Sequence, residues 1–141
     1  MLRASIFKHA ALDYALVGRW LGHLVQGRLG HEQIAASPPV PGERAVGWAA
    51  HYTVGIALAG VLLAITGPAW VEAPTPGPAL GVGVASVILP YAILQPGMGA
   101  GFAASRMPDP VAARMNTFLT HTVFGAGLYL AALVLKTCQL L

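Results

Sequence analysis

Three polar side chains stand inside stretches that are otherwise apolar: His51, Gln95 and His121. An imidazole can donate, accept, titrate near neutral pH, or ligate haem and metals. A primary amide both donates and accepts. In hydrocarbon such groups are costly, so they turn toward other helices and often mark a functional site. Tyr52 adjoins His51, and Arg114, Thr117, His121 and Gly125 recur at three- or four-residue spacing on one helical face. Two histidines without a carboxylate or thiol partner make an incomplete zinc site, so no metal is assigned. The ligand readings are a lipid headgroup, a quinone or an axially held haem. The plainer reading is hydrogen bonding between helices, worth about 0.6 kcal/mol on average. The candidate ligand-binding set is therefore His51, Tyr52, Gln95 and His121, with Arg114 at the cytoplasmic mouth and the cofactor undetermined.

The elements that carry these residues follow from charge spacing. Residues 45–71, 73–105 and 115–135 contain no charged side chain. A hydrocarbon core of roughly 30 Å needs about 20 apolar residues as helix, so each run is long enough to span it. Only 9% of the 141 residues are charged, 56% are hydrophobic, and mean hydropathy is +0.67. Thirteen charges cannot cover the surface of so small a soluble domain, and a disordered chain would be polar. A membrane β-barrel would alternate in short segments, whereas these runs are continuous and rich in Ala, Leu, Gly and Val. The expected fold is all-α and integral to the membrane, a single domain. Its three transmembrane helices are placed over 45–67, 79–104 and 112–137, preceded by a cytoplasmic amphipathic helix and Pro-rich loop within 1–44.

Gly67-Pro68 stops the first span, the proline-rich run 74–78 separates the first two, and Asp109-Pro110 opens the third. From these bounds, His51, Gln95 and His121 fall at a similar depth, roughly 9–14 Å into the inner half of the membrane. Arg3, Lys8, Arg19, Arg28, Arg44, Arg106 and Arg114 fall on one side and Lys136 on the other. Lys and Arg favour cytoplasmic loops, so the N-terminus is placed in the cytoplasm and the chain in a bacterial inner membrane. The same bias and anionic lipid account for the pI of about 9.4 without nucleic acid.

The N-terminus lacks the apolar core and cleavage site of a signal peptide. Residues 6–26 instead place Phe7, Ala10, Tyr14, Val17, Leu21 and Leu24 on one helical face, with Lys8, His9, Asp13, Arg19, His23 and Gln26 opposite. Such a helix is expected to lie in the lipid interface, with Arg19 and Trp20 among headgroups; the alternative is packing on another helix. The glycines of the Gln95–Gly101 run, Gly97 and Gly101, fit close helix packing, as does Gly125. The lone cysteine, Cys138, excludes an intrachain disulfide. No phosphate loop, dinucleotide fingerprint or hydrolase motif is present, no carboxylate lies inside a span, and no catalytic residue is assigned, which points away from an enzyme.

Several motifs together are similar to one bacterial family: Leu12-Asp13-Tyr14, Gly18-Arg19-Trp20-Leu21-Gly22-His23, Pro41-Gly42-Glu43-Arg44, Gly47-Trp48-Ala49-Ala50-His51-Tyr52, the Gln95–Gly101 run, and His121 with Phe124-Gly125. Over about residues 12–132 the chain resembles the membrane proteins grouped as domain of unknown function 2938. The resemblance implies a small helical inner-membrane protein with no assigned activity. It also implies a further hydrophobic helix before Leu12, for which the eleven preceding residues leave no room. The sequence therefore reads as a shortened member or one whose start lies upstream. Three roles follow from the residues. The first is a ligand site in the inner leaflet. The second is an assembly subunit docking a membrane-protein partner, or a second copy of itself, through its glycine faces. The third and weakest is a transporter component.

Overall fold

The computed structural model describes residues 13–139. The expected amphipathic stretch begins at residue 6, so Phe7, Lys8, His9 and Ala10 lie outside the described residues. The described chain is helical, and three of its helices are long and apolar enough to cross a membrane: Glu43–Thr66, Pro76–Met98 and Pro110–Cys138. The protein is an all-α membrane protein.

Helix α1 (Tyr14–Val25) starts where the Asp13 carboxylate accepts the Ala15 N–H at 3.0 Å, capping an otherwise orphaned donor. Helix α2 (Glu43–Thr66) opens after Gly42 and stops at Gly67-Pro68. The second span is composite. Helix α3 (Pro76–Ala85) gives way to a turn at Ser86-Val87, a π-helical stretch Pro90–Leu94, and the short α4 (Gln95–Met98). Pro90 and Pro96 each lack an N–H, so regular i→i−4 bonding cannot run through this region. The Gln95 N–H instead reaches Pro90 O. Helix α5 (Pro110–Gln139) is the third span.

The second span ends at Met98, not near residue 104. Gly99 takes φ +97°, and its N–H donates to Pro96 O while the Ala100 N–H donates to Gln95 O at 2.8 Å. This is a Schellman closure, and it needs the left-handed backbone that glycine adopts without a Cβ penalty. Ala103 and Ala104 beyond it also have positive φ.

Packing relies on backbone contact between helices. Helix α1 runs antiparallel to the start of α2: Tyr14 lies beside Trp48 and His51, Gly18 against Glu43 and Gly47, Gly22 against Val40. A Cβ on Gly18 would collide with Glu43 O, and one on Gly47 with Tyr14 O. Helix α1 thus packs on α2, the alternative to an interfacial helix. On the other side, α3 meets α5 where a Cβ on Gly83 would stand 2.6 Å from Gly125 Cα. The outer faces suit lipid: Ile56 and Ile65 of α2 and Val123 of α5 are at least 70% exposed.

Replacing Gly83 with Val should push α3 from α5 and destabilise the protein by about 1–3 kcal/mol, the usual range for overpacking. Gly127→Leu, whose added Cβ meets nothing within 4 Å, should leave it unchanged. Thermal unfolding of the two variants in detergent checks both.

Candidate functional site

The polar groups of the spans form two separate sets. The first lies in the seam between the second span and α5. Ser86 Oγ and His121 Nδ1 are 2.7 Å apart, and Ser86 Oγ also lies 2.6 Å from Gly83 O. Farther along, Gln95 Nε2 donates to Thr117 Oγ1 at 3.3 Å, and Thr117 donates to Ala113 O at 3.0 Å. Thr117 and His121 are four residues apart on α5, so the two links are rungs of one ladder. Gln95 Oε1 is buried and has no hydrogen-bond partner among the described residues. The seam therefore joins Gln95 and His121 through α5.

His51 belongs to the second set. Its Nε2 stands 3.5 Å from the Tyr14 hydroxyl, and its ring sits among Tyr14, Trp48 and Tyr52 at centroid distances of 4.6–5.8 Å. Tyr52 stacks on Trp48 and is largely exposed. Burial, with Tyr52 nearby, raises the Tyr14 pKa above its ordinary value and keeps the phenol protonated. The hydrogen bond of His51 to Tyr14 does not reach Gln95 or His121, although His51 lies close enough to act on His121 through space.

Arg114 anchors the turn after the second span. Its Nε donates to Ala103 O at 2.7 Å, and its own carbonyl accepts from the Tyr91 hydroxyl at 2.7 Å. The glycines are occupied within the chain: Gly97 lies under the Trp20 ring, Gly101 against Ser105 and Arg106, Gly125 against Gly83 and the start of α3. Ser86 carried no weight in the sequence. Its signal was slight: it is the one serine in the second span. Between α2 and the second span is an apolar hollow of about 240 Å³, walled by Leu58, Val61, Ile65, Val82 and Ile88, with Ser86 at its edge.

A third polar cluster, absent from the candidate set, joins α1 to the 26–42 loop. Arg19 makes two bonds to the Glu43 carboxylate, at 2.7 and 2.9 Å, and donates to Ala35 O and Ser37 O. Glu43 also accepts the Val40 N–H at 2.9 Å. The hydrogen bond to Glu43 raises the Arg19 pKa still further above its ordinary value. Trp20 is buried and donates to Leu29 O at 3.0 Å. Neither Arg19 nor Trp20 reaches out to headgroups as the sequence suggested, because each finds its partner in the loop. His23, also assigned to the polar outer face, is buried at 3% exposure.

Replacing Arg19 with Gln removes the guanidinium that holds Ala35, Ser37 and Glu43 together. Trypsin should then nick the exposed Arg28 roughly tenfold faster or more, because local opening of the loop becomes easier. Limited proteolysis of the detergent-solubilised variant beside the parent checks this.

No characterised protein and no solved structure matches the chain significantly. One family does: the profile described as a protein of unknown function, DUF2938, matches residues 1–135, nearly the whole sequence. With the helical spans and their motifs in place, that match makes the chain a member of the DUF2938 family.

Proposed function

We propose that the chain is a small bacterial inner-membrane protein, N-terminus cytoplasmic, that holds an amphiphile bearing hydrogen-bond donors in the seam between its second and third spans. The observation that carries this reading is Gln95 Oε1, a buried acceptor without a partner among the described residues. An unpaired buried acceptor costs about 1–3 kcal/mol. A ligand hydroxyl or ammonium would recover it.

Proton accounting narrows the ligand class. The Thr117 proton goes to Ala113 O, so Thr117 Oγ1 accepts from Gln95 Nε2 and the amide oxygen is left facing away. The Ser86 proton goes to Gly83 O, so His121 Nδ1 is the donor to Ser86 and its Nε2 is left as an acceptor. Two acceptors in one seam select a donor: a hydroxyl- or amine-bearing lipid headgroup, or a quinol. An oxidised quinone offers only acceptors. A haem ligated by both histidines is disfavoured, since His51 Nε2 faces the Tyr14 hydroxyl at 3.5 Å. The apolar hollow beside Ser86 suits the ligand's tail.

The distribution of Lys and Arg supports the cytoplasmic N-terminus. The acids Asp13, Glu32, Glu43, Glu72 and Asp109 all lie in loops or at helix starts, which favours binding over acid–base catalysis. The docking alternative is weakened because Gly97, Gly101 and Gly125 are covered within the chain.

Native mass spectrometry of the protein released from mild detergent tests the reading. The parent should retain a lipid or quinol, and Gln95→Leu and His121→Phe should lower its occupancy roughly tenfold, a loss of about 1.4 kcal/mol. Stripped of ligand, Gln95→Leu should be at least as stable as the parent, because it removes the unpaired acceptor. Equal ligand retention with lower stability would show that Gln95 only holds helices together.

A further inference from the structure

His23 and His31 face one another away from the seam, in a chain of three contacts that two neutral rings cannot all complete. His23 Nδ1 and His31 Nε2 are 2.8 Å apart. The other ring nitrogen of each points at a carbonyl: His23 Nε2 at Pro38 O, 3.0 Å away, and His31 Nδ1 at Gly97 O, 3.2 Å away. A carbonyl only accepts, so each of these outer contacts needs an N–H on the imidazole. The inner contact needs a third N–H. A neutral imidazole has one, so two neutral rings supply two protons for three bonds. One ring must be an imidazolium for all three to form.

We propose that His23 and His31 share one extra proton, and that this bound proton clasps the 26–42 loop to the end of the second span. The clasp bears directly on Gly97, whose carbonyl also accepts the His31 backbone N–H at 3.0 Å. Gly97 follows Gln95 and Pro96 and carries the Trp20 ring. The surroundings tolerate a single positive charge. From α2, Glu43 lies close enough to act on His23 through space. Its carboxylate is shared with Arg19 of α1, the other charged group of that helix on this side. The loop brings Arg28 and Glu32, both exposed. The segment Gln95–Met98 contributes only its carbonyl, Gln95 and Met98, with no titratable side chain, and Tyr91 of the π-helical stretch bonds instead to Arg114.

The count fixes the direction of the pH effect on both sides. When pH rises and the shared proton leaves, two protons remain for three contacts and one bond is lost. When pH falls and a fourth proton binds, Nδ1–H of His23 faces Nε2–H of His31 and the inner bond becomes a repulsion. The clasp is therefore strongest at intermediate pH, and the two steps belong to the pair and not to either ring.

Hydrogen exchange at the His31 amide, corrected for intrinsic rate, reads the clasp in the full-length protein. Its protection should pass through a maximum between about pH 4.5 and about pH 9, falling roughly tenfold toward each end across the histidine range. His31→Gln should give a flat profile. A flat profile in the parent, or the same maximum in His31→Gln, would overturn the proposal. Nitrogen-15 spectra of the parent's imidazoles serve without any variant. At the protection maximum they should show one proton shared between His23 Nδ1 and His31 Nε2, and two neutral rings there would overturn it as well.

Discussion

The ion pair of Arg19 with Glu43 is the point at which residues 13–66 become one unit. Both side chains are mostly shielded, 13% and 17% exposed, and both are saturated with partners. Arg19 fills its fork with two carboxylate and two carbonyl oxygens, while Glu43 adds the Val40 N–H. A planar fork suits this task, since it holds several acceptors in fixed directions. Without that anchor, α1 would keep ring stacking and close backbone contact against α2, and the loop would lose its ties at Ala35, Ser37 and Val40. With the loop fixed, His31 and Leu29 reach the second span and the Trp20 indole, respectively. The position of Gly97, and so of the Gln95 region, follows from a charge pair on the neighbouring helix.

A different economy holds between the second span and α5. No ion pair is used there among the described residues; glycine lets the backbones touch, and the side chains of Ser86, Tyr91, Gln95, Thr117 and His121 form the rungs. Hydrocarbon offers no hydrophobic gain for burying Leu against Leu, so close approach and hydrogen bonds are what remain to specify a neighbour. The seam is consequently narrow where glycines meet at Gly83 and Gly125 and looser where the prolines disturb the second span. The unpaired oxygen of Gln95 lies in that looser half.

Much of this was legible in the residues. The three spans follow from runs without charge, because bilayer thickness converts directly into helix length. The end of the second span was not legible: the glycine-rich segment 97–101 is as apolar as helix, and hydropathy carries no sign of Gly99's left-handed turn. Equal depth for His51, Gln95 and His121 came from counting residues, but depth does not give partners: His51 faces Tyr14, while Gln95 and His121 bond across the seam to Thr117 and Ser86. Ser86 lies level with His121 in the structure, which nothing in an apolar run with one serine foretells. Helical periodicity placed Arg19 and His23 on a polar face correctly and then assigned that face to water or headgroups. A helical wheel cannot distinguish solvent from polar partners 8–24 residues further on, here His31 and Pro38 of the loop and Glu43 at the start of α2.

The order of these contacts along the chain also sets an order in time. Arg19 meets Glu43 across 24 residues, and Tyr14 meets His51 across 37, so α1, the loop and α2 can assemble as soon as the first span has been made. Ser86 meets His121 across 35 residues, a second local unit formed later. His31 reaches Gly97 across 66 residues, the widest separation among the side-chain bonds of the described residues. Short loops close first and at lower entropic cost. The described chain thus has two hairpin-like halves, which also meet where the Trp20 ring covers Gly97. By sequence separation, the docking of the loop's histidine on the second span is the contact with the longest loop to close.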